Sequence, residues 1–169
     1  VASIGKDAAG ELYILEHGGN EIYRIVRRCG VTRVCETSPN SAGPGAIADW
    51  NGSVSLAAND LTLAVIDAPP STFGLFFYSP NLGAPAPLGN GSLCLDGGTV
   101  GYFRLPVIQA DTLGTMRLPV DYSSAPMASG AGQVQPGATW NFQAWYRDVG
   151  GPGGAGFNLT DGLSILFCP

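Results

Sequence analysis

An alternation of large apolar and polar side chains over residues 140–148 constrains this chain most, in the order Trp-Asn-Phe-Gln-Ala-Trp-Tyr-Arg-Asp. A period of two indicates a β-strand with one face against a core and the other face outward. The inner face then carries Trp140, Phe142, Ala144 and Tyr146, and the outer face carries Asn141, Gln143, Trp145 and Arg147. A second strand is predicted after a glycine-rich break, at residues 163–169.

Composition favours an all-β fold. The 169 residues are 45% apolar and only 12% charged, and they include 25 glycines and 13 prolines. Short strands joined by glycine- and proline-rich turns explain such a chain, and no segment shows helical periodicity with capping residues. The apolar run at residues 73–78 predicts a strand buried on both faces, and residues 80–91 are predicted as a loop. We therefore predict an antiparallel β-sandwich of jelly-roll-like form.

Charge limits the classes of partner. The formal net charge is −5, and Lys6 is the single lysine. An acidic surface is repelled by phosphate backbones and anionic lipids, so we expect neither nucleic-acid nor membrane binding. No apolar run approaches the length that a transmembrane helix needs.

The four cysteines predict two disulfides. Cys29, Cys35, Cys94 and Cys168 follow no zinc-binding spacing, and the chain has one histidine. Disulfides indicate an oxidising compartment, so we expect a secreted or cell-surface protein. The favoured pairing joins Cys29 to Cys35 in a short loop and Cys94 to Cys168, which ties down the last strand. An alternative joins Cys35 to Cys168 and closes the domain end to end, and loop-closure entropy does not choose between them.

The first 28 residues differ from the rest in charge and pattern. They predict a β-hairpin, in which the patterns at residues 7–15 and 21–26 are the strands and Gly-Gly-Asn at 18–20 is the turn. The Asp-x-x-Gly turn at residues 7–10, the Leu12-Tyr13 pair and the Ile-Tyr-Arg strand end at 22–24 resemble the final blade of propellers related to quinone-dependent glucose and sorbosone dehydrogenases. The quinone and calcium ligands of that family lie in other blades, so the resemblance carries no cofactor site to this chain.

Residues 29–34 are predicted as a basic linker, and residues 35–169 as the β-sandwich domain. The domain's motifs are Cys-Glu-Thr-Ser-Pro-Asn-Ser at 35–41, Gly-Leu-Phe-Phe-Tyr-Ser-Pro at 74–80, Leu-Cys at 93–94, the strand at 140–148 and a terminal Phe-Cys-Pro. In this order they resemble a C-terminal domain of large secreted proteins from environmental bacteria. The resemblance implies an extracellular accessory domain and no particular chemistry.

The sequence offers no complete catalytic set. His17, the single histidine, is predicted in a solvated turn, which leaves no Ser-His-Asp arrangement. The aspartates are scattered singly, as expected of turn-capping residues rather than of a glycosidase pair. We therefore predict that the chain is not an enzyme and has no cofactor. A structural calcium held by backbone carbonyls and one or two aspartates is kept as an alternative.

The candidate ligand site is aromatic. If the Trp140 face is core, Trp145 is at least partly exposed beside Asn141, Gln143 and Arg147, and Trp50 is predicted in a turn. An exposed indole ring can stack on a sugar while neighbouring amides bind its hydroxyls. Packing of both tryptophans into the core is the alternative. We therefore expect binding of a polysaccharide or another cell-surface partner.

Two further functions are kept open. The N-terminal hairpin leaves strand edges and apolar side chains in need of a partner, which favours an assembly or anchoring module and a homo-oligomer. The resemblance of residues 1–28 also implies a chain that forms the C-terminal part of a quinone-dependent sugar dehydrogenase.

Overall fold

The computed structural model describes residues 3–8, 11–16, 18–25 and 29–169, and their fold is all-β. His17 lies outside the described residues, so its predicted turn position stays a prediction. The N-terminal part is a three-stranded antiparallel sheet rather than a simple hairpin. Its strands are β1 (Ser3–Lys6), β2 (Leu12–Glu16) and β3 (Glu21–Ile25), in that order across the sheet.

A five-stranded antiparallel sheet forms one layer of the main fold. Its order is β10-β7-β12-β13-β4, so β12 lies at the centre. The strands are β4 (Gly30–Val34), β7 (Phe73–Ser79), β10 (Phe103–Gln109), β12 (Thr139–Asp148) and β13 (Gly156–Leu166). The predicted strands at 73–78 and 140–148 are confirmed. The segment predicted as a linker is instead edge strand β4, because Gly30–Val34 pair with the second half of β13.

A three-stranded sheet forms the opposite layer, in the order β11-β6-β5. Its strands are β5 (Ile47–Asn51), β6 (Thr62–Ile66) and β11 (Met116–Pro119). The main core lies between the two sheets. At its centre the Phe142 ring stacks on Tyr78 at 5.1 Å between centroids and meets Phe167 edge-on at 6.2 Å. The predicted antiparallel sandwich is therefore confirmed.

A β-hairpin covers part of the outer face of the five-stranded sheet. It consists of β8 (Asn81–Leu88) and β9 (Gly91–Asp96), joined by a tight turn. The predicted loop at 80–91 is thus wrong. Pro85 and Pro87 favoured the prediction of a loop, because proline lacks a backbone N–H donor. The missing donor is tolerated in β8, which is an edge strand. Phe77 and Leu159 pack against Cys94 and Leu95 of β9 in a second, smaller core.

The disulfides are Cys29–Cys168 and Cys35–Cys94, so the favoured pairing is wrong. The register of β4 explains the observed pairing of the cysteines. Gly30 lies beside Leu166 on β13, which brings the preceding Cys29 next to the chain's end. At the other end of β4, Cys35 meets Cys94 of the covering hairpin. The two bridges indicate an oxidising environment.

Candidate functional site

A cleft opens on the outer face of the five-stranded sheet, beside the β8–β9 hairpin. Strand pairing places its floor residues side by side: Trp145 of β12 lies between Leu75 of β7 and Leu159 of β13. Arg104 of β10 pairs with Phe77 of β7 on the same face. The cleft has a volume of about 380 Å³ and is lined by Leu75, Phe77, Leu88, Leu93, Tyr102, Arg104, Trp145 and Leu159.

We call this site the Trp145 cleft. Its size and its mostly apolar lining, with a small number of polar groups, are typical of sites for small ligands. Leu88 and Leu93 form the wall that the hairpin contributes. The turn of the hairpin lies close against the sheet. Gly89 in this turn has φ of 65° and contacts the Phe157 ring, and a β-carbon at this position would overlap that ring.

The two rings that face the cleft are held in place by packing. Trp145 is half-buried and lies against Phe157, with ring centroids 5.8 Å apart. Tyr102 is 45% exposed, yet its ring meets Phe77 edge-on at 5.8 Å. The Tyr102 hydroxyl donates a hydrogen bond to the Leu95 carbonyl at 3.0 Å. Because these contacts fix both rings, a ligand that stacks on them meets a preorganised surface.

Arg104 supplies the charge of the cleft. Its side chain is exposed, and its guanidinium forms no ion pair or hydrogen bond with any described residue. None of the residues lining the cleft is acidic. The free donors of Arg104 therefore face an apolar space that can accommodate a ligand.

Two of the predicted ligand-binding residues have structural roles. Gln143 is fully buried, and its amide nitrogen donates to the carbonyl oxygens of Ser92 at 2.8 Å and Thr160 at 2.7 Å. Its oxygen accepts from the Cys94 N–H at 3.1 Å. Asn141 is 2% exposed and donates to the Pro80 carbonyl at 3.1 Å. Gln143 thus fastens β9 to the sheet beneath it, and Asn141 bonds the connection between β7 and β8, so neither amide faces solvent.

The remaining predicted residues do not come together. Arg147 is exposed on the same strand face as Trp145, about 7 Å further along the strand, but it does not line the cleft. Trp50 lies on β5 in the opposite sheet, where it packs against the main core under the Arg33 guanidinium, 5.7 Å from its ring centre. The structure therefore places Trp145 in the cleft and Trp50 in the opposite sheet.

Two residues of the cleft lining, Tyr102 and Arg104, are not among the predicted ligand-binding residues, although the pattern of residues 102–104 indicates them. Tyr-Phe-Arg alternates, which places Tyr102 and Arg104 on one face of a strand and Phe103 on the other. The strand that lies beside them is set by long-range pairing, which alternation alone does not reveal.

A charged cluster at the edge of the fold is fully paired and structural. Arg33 bridges Asp161 at 2.9 Å and Asp49 at 3.0 Å, and it donates to the Ala48 carbonyl. Burial raises the pKa of the Asp161 carboxyl, while the Ala48 N–H and Arg33 act in the opposite direction. The cluster joins β13 to β5 and holds the two sheets together.

Further observations bear on metals and membranes. Within the described ranges, no group of three or more His, Cys, Asp or Glu side chains could hold a metal ion. The structural calcium stays a prediction. In the part of the chain that the structure describes, no helix is long and apolar enough to cross a membrane.

The fold and the cleft define an all-β, disulfide-linked protein with an aromatic surface site. No protein-family model, no curated protein and no solved structure matches the chain.

Proposed function

We propose that this chain is a non-catalytic extracellular accessory domain that binds carbohydrate through the Trp145 cleft. The observation that carries the proposal is the combination of two fixed aromatic rings and a free guanidinium in one half-open apolar cleft. The face of an aromatic ring carries partial negative charge, which attracts the C–H groups of a pyranose ring. The guanidinium supplies hydrogen-bond donors for the oxygens of the sugar.

The chemistry of the lining supports binding rather than turnover. Its residues are apolar or aromatic apart from Arg104, and they include no carboxylate, histidine or thiol. Acid–base or nucleophilic catalysis commonly uses such groups, and the one hydroxyl of the lining, that of Tyr102, is engaged in its hydrogen bond to the Leu95 carbonyl. Two disulfides favour an extracellular location, as does the resemblance of residues 35–169 to an accessory domain of secreted proteins.

Trp145→Ala tests the proposal directly. After a glycan array identifies a binding saccharide, we expect this substitution to weaken its affinity by about tenfold or more, because the largest stacking surface of the cleft is lost. Trp145→Phe keeps a ring and should retain part of the affinity. Isothermal titration calorimetry measures Kd for each variant.

Trp50→Ala is the matched control, because Trp50 is half-buried in the opposite sheet. It should leave Kd unchanged, whatever its effect on stability. Thermal unfolding shows whether each variant is folded before titration. The proposal fails if no glycan binds the wild-type chain, or if Trp145→Ala binds as tightly as the wild type.

A second candidate function, assembly with another copy, is supported by the N-terminal sheet. None of its described residues is buried, and several large apolar side chains are 38–66% exposed: Ile4, Leu12, Leu15, Ile22, Tyr23 and Ile25. A small sheet needs a covered face to be stable in water. A second copy fits outermost strand β3, because antiparallel pairing about a two-fold axis can place Tyr23 opposite the Tyr23 of the second copy and Ile22 opposite its Arg24.

A charge placed on the two-fold axis tests this pairing. Wild-type protein should dimerise in a concentration series followed by light scattering, and Tyr23→Lys should shift it to monomer by placing like charges opposite each other. An equimolar mixture of Tyr23→Lys and Tyr23→Glu pairs opposite charges across the axis and should restore the dimer. A wild-type particle that stays monomeric at its highest soluble concentration contradicts assembly.

A further inference from the structure

We infer that the Trp145 cleft selects saccharides that carry an anionic group, which Arg104 binds. This inference rests on the proposed carbohydrate-binding function and names the ligand class. The carboxylate of a hexuronate and the sulfate ester of a sulfated sugar share the chemistry that the cleft would recognise. Each presents at least two anionic oxygens that can accept from neighbouring guanidinium N–H groups, on a ring whose C–H face can stack.

The first argument is the contrast between Arg104 and the arginines with structural roles. Arg24 bridges Glu11 at 3.1 Å, and Arg33 bridges two aspartates at about 3 Å. Arg104 has no such partner among the described residues, although it lies beside a cleft wall. A guanidinium offers five donors in a rigid fork that matches two anionic oxygens at once.

The second argument is the environment of that guanidinium. The surrounding lining is formed by leucine and aromatic side chains, which contribute no competing anion. Charge-assisted hydrogen bonds are stronger where apolar walls reduce the effective dielectric constant. An anion held there also keeps its ring against Trp145 and Tyr102, so charge and stacking act on the same ligand.

The net charge of −5 does not oppose this inference at physiological salt. Interactions between exposed charges are largely screened beyond about 8 Å at that ionic strength, whereas a ligand in the cleft contacts Arg104 directly. The overall negative charge instead predicts weak non-specific repulsion of polyanions. Binding of an acidic saccharide should therefore depend on Arg104 rather than on a diffuse basic surface.

The test compares matched probes on the full chain. Oligogalacturonate is the carboxylate probe, its methyl ester is the neutral probe with the same backbone, and dextran sulfate against dextran is the sulfate pair. We expect at least one anionic probe to bind about tenfold more tightly than its neutral counterpart. The pair that shows this preference identifies carboxylate or sulfate as the recognised group.

Arg104→Gln removes the charge and keeps an amide donor. It should weaken binding of the preferred anionic probe by about tenfold, the size expected for hydrogen bonds to a charged group. Arg104→Lys keeps the charge without the fork and should retain part of the affinity. Arg147→Gln, an exposed arginine on the same face but outside the cleft, is the matched control and should behave as the wild type.

The outcomes separate this inference from the proposed function. Glycan binding without preference for anionic probes overturns the inference and leaves carbohydrate binding intact. Anionic preference that persists in Arg104→Gln also overturns it. If no saccharide on the array binds, the proposed function fails and the inference fails with it.

Discussion

Replacing both cysteines of the Cys29–Cys168 disulfide with serine should lower the free energy of unfolding by about 5 kcal/mol, on the loop-closure model of disulfide stabilisation. The two residues are 139 apart in sequence, so the bridge restricts almost the whole unfolded domain. A loss of this size is a large share of the 5–15 kcal/mol that typically stabilises a domain. Guanidinium unfolding followed by tryptophan fluorescence measures the change.

The paired variant Cys35→Ser with Cys94→Ser is the control. Its cysteines are 59 residues apart, and the same model gives a loss of about 4 kcal/mol. The Cys29–Cys168 bridge should therefore stabilise the fold more than the Cys35–Cys94 bridge does, by less than about 1 kcal/mol. Equal midpoints for the Cys29/Cys168 variant and the wild type would contradict the pairing described here.

Phe142→Ala should lower the free energy of unfolding by about 3 to 5 kcal/mol, the usual cost of emptying a buried phenylalanine site. Phe142 is fully buried at the centre of β12, stacked on Tyr78 and in edge contact with Phe167. Because rings from three separate segments meet at this point, the cavity cannot close without moving one of them. The melting temperature should fall on the order of 10 °C, as measured by calorimetry.

Phe73→Ala is the matched control, because Phe73 lies on neighbouring strand β7 but is 49% exposed. This substitution should cost less than about 1 kcal/mol, since little buried volume is lost. Equal destabilisation by the two substitutions would show that Phe142 is not at the centre of the core.

Strand β12 shows how much of the fold the sequence predicts. Alternation over residues 140–148 predicts strand β12 and its inner face correctly, because a strand with one face on the core must repeat every two residues. It did not predict that Gln143 and Asn141 are buried on the other face. That outcome depends on the β8–β9 hairpin, whose proline-rich first strand resembles a loop in sequence.

The disulfides and the cleft were harder to predict for a related reason. Three pairings of four cysteines were open, and the choice followed from β4 lying beside β13, a contact between segments more than 120 residues apart. The cleft likewise combines Trp145 with Tyr102 and Arg104 through the order β10-β7-β12. Trp145 was found by its position in an alternating strand, whereas its partners depend on which strands are neighbours.

The placement of the two disulfides has a consequence for limited proteolysis. The Cys29–Cys168 disulfide closes a covalent ring that contains the smaller ring closed by Cys35–Cys94. A single backbone cut anywhere between Cys29 and Cys168 therefore leaves the two fragments joined by a disulfide. The three strands before residue 26 lie outside both rings. A cut just ahead of Cys29 would therefore release that N-terminal sheet as a separate peptide under non-reducing conditions, while the nicked sandwich would still migrate as one molecule.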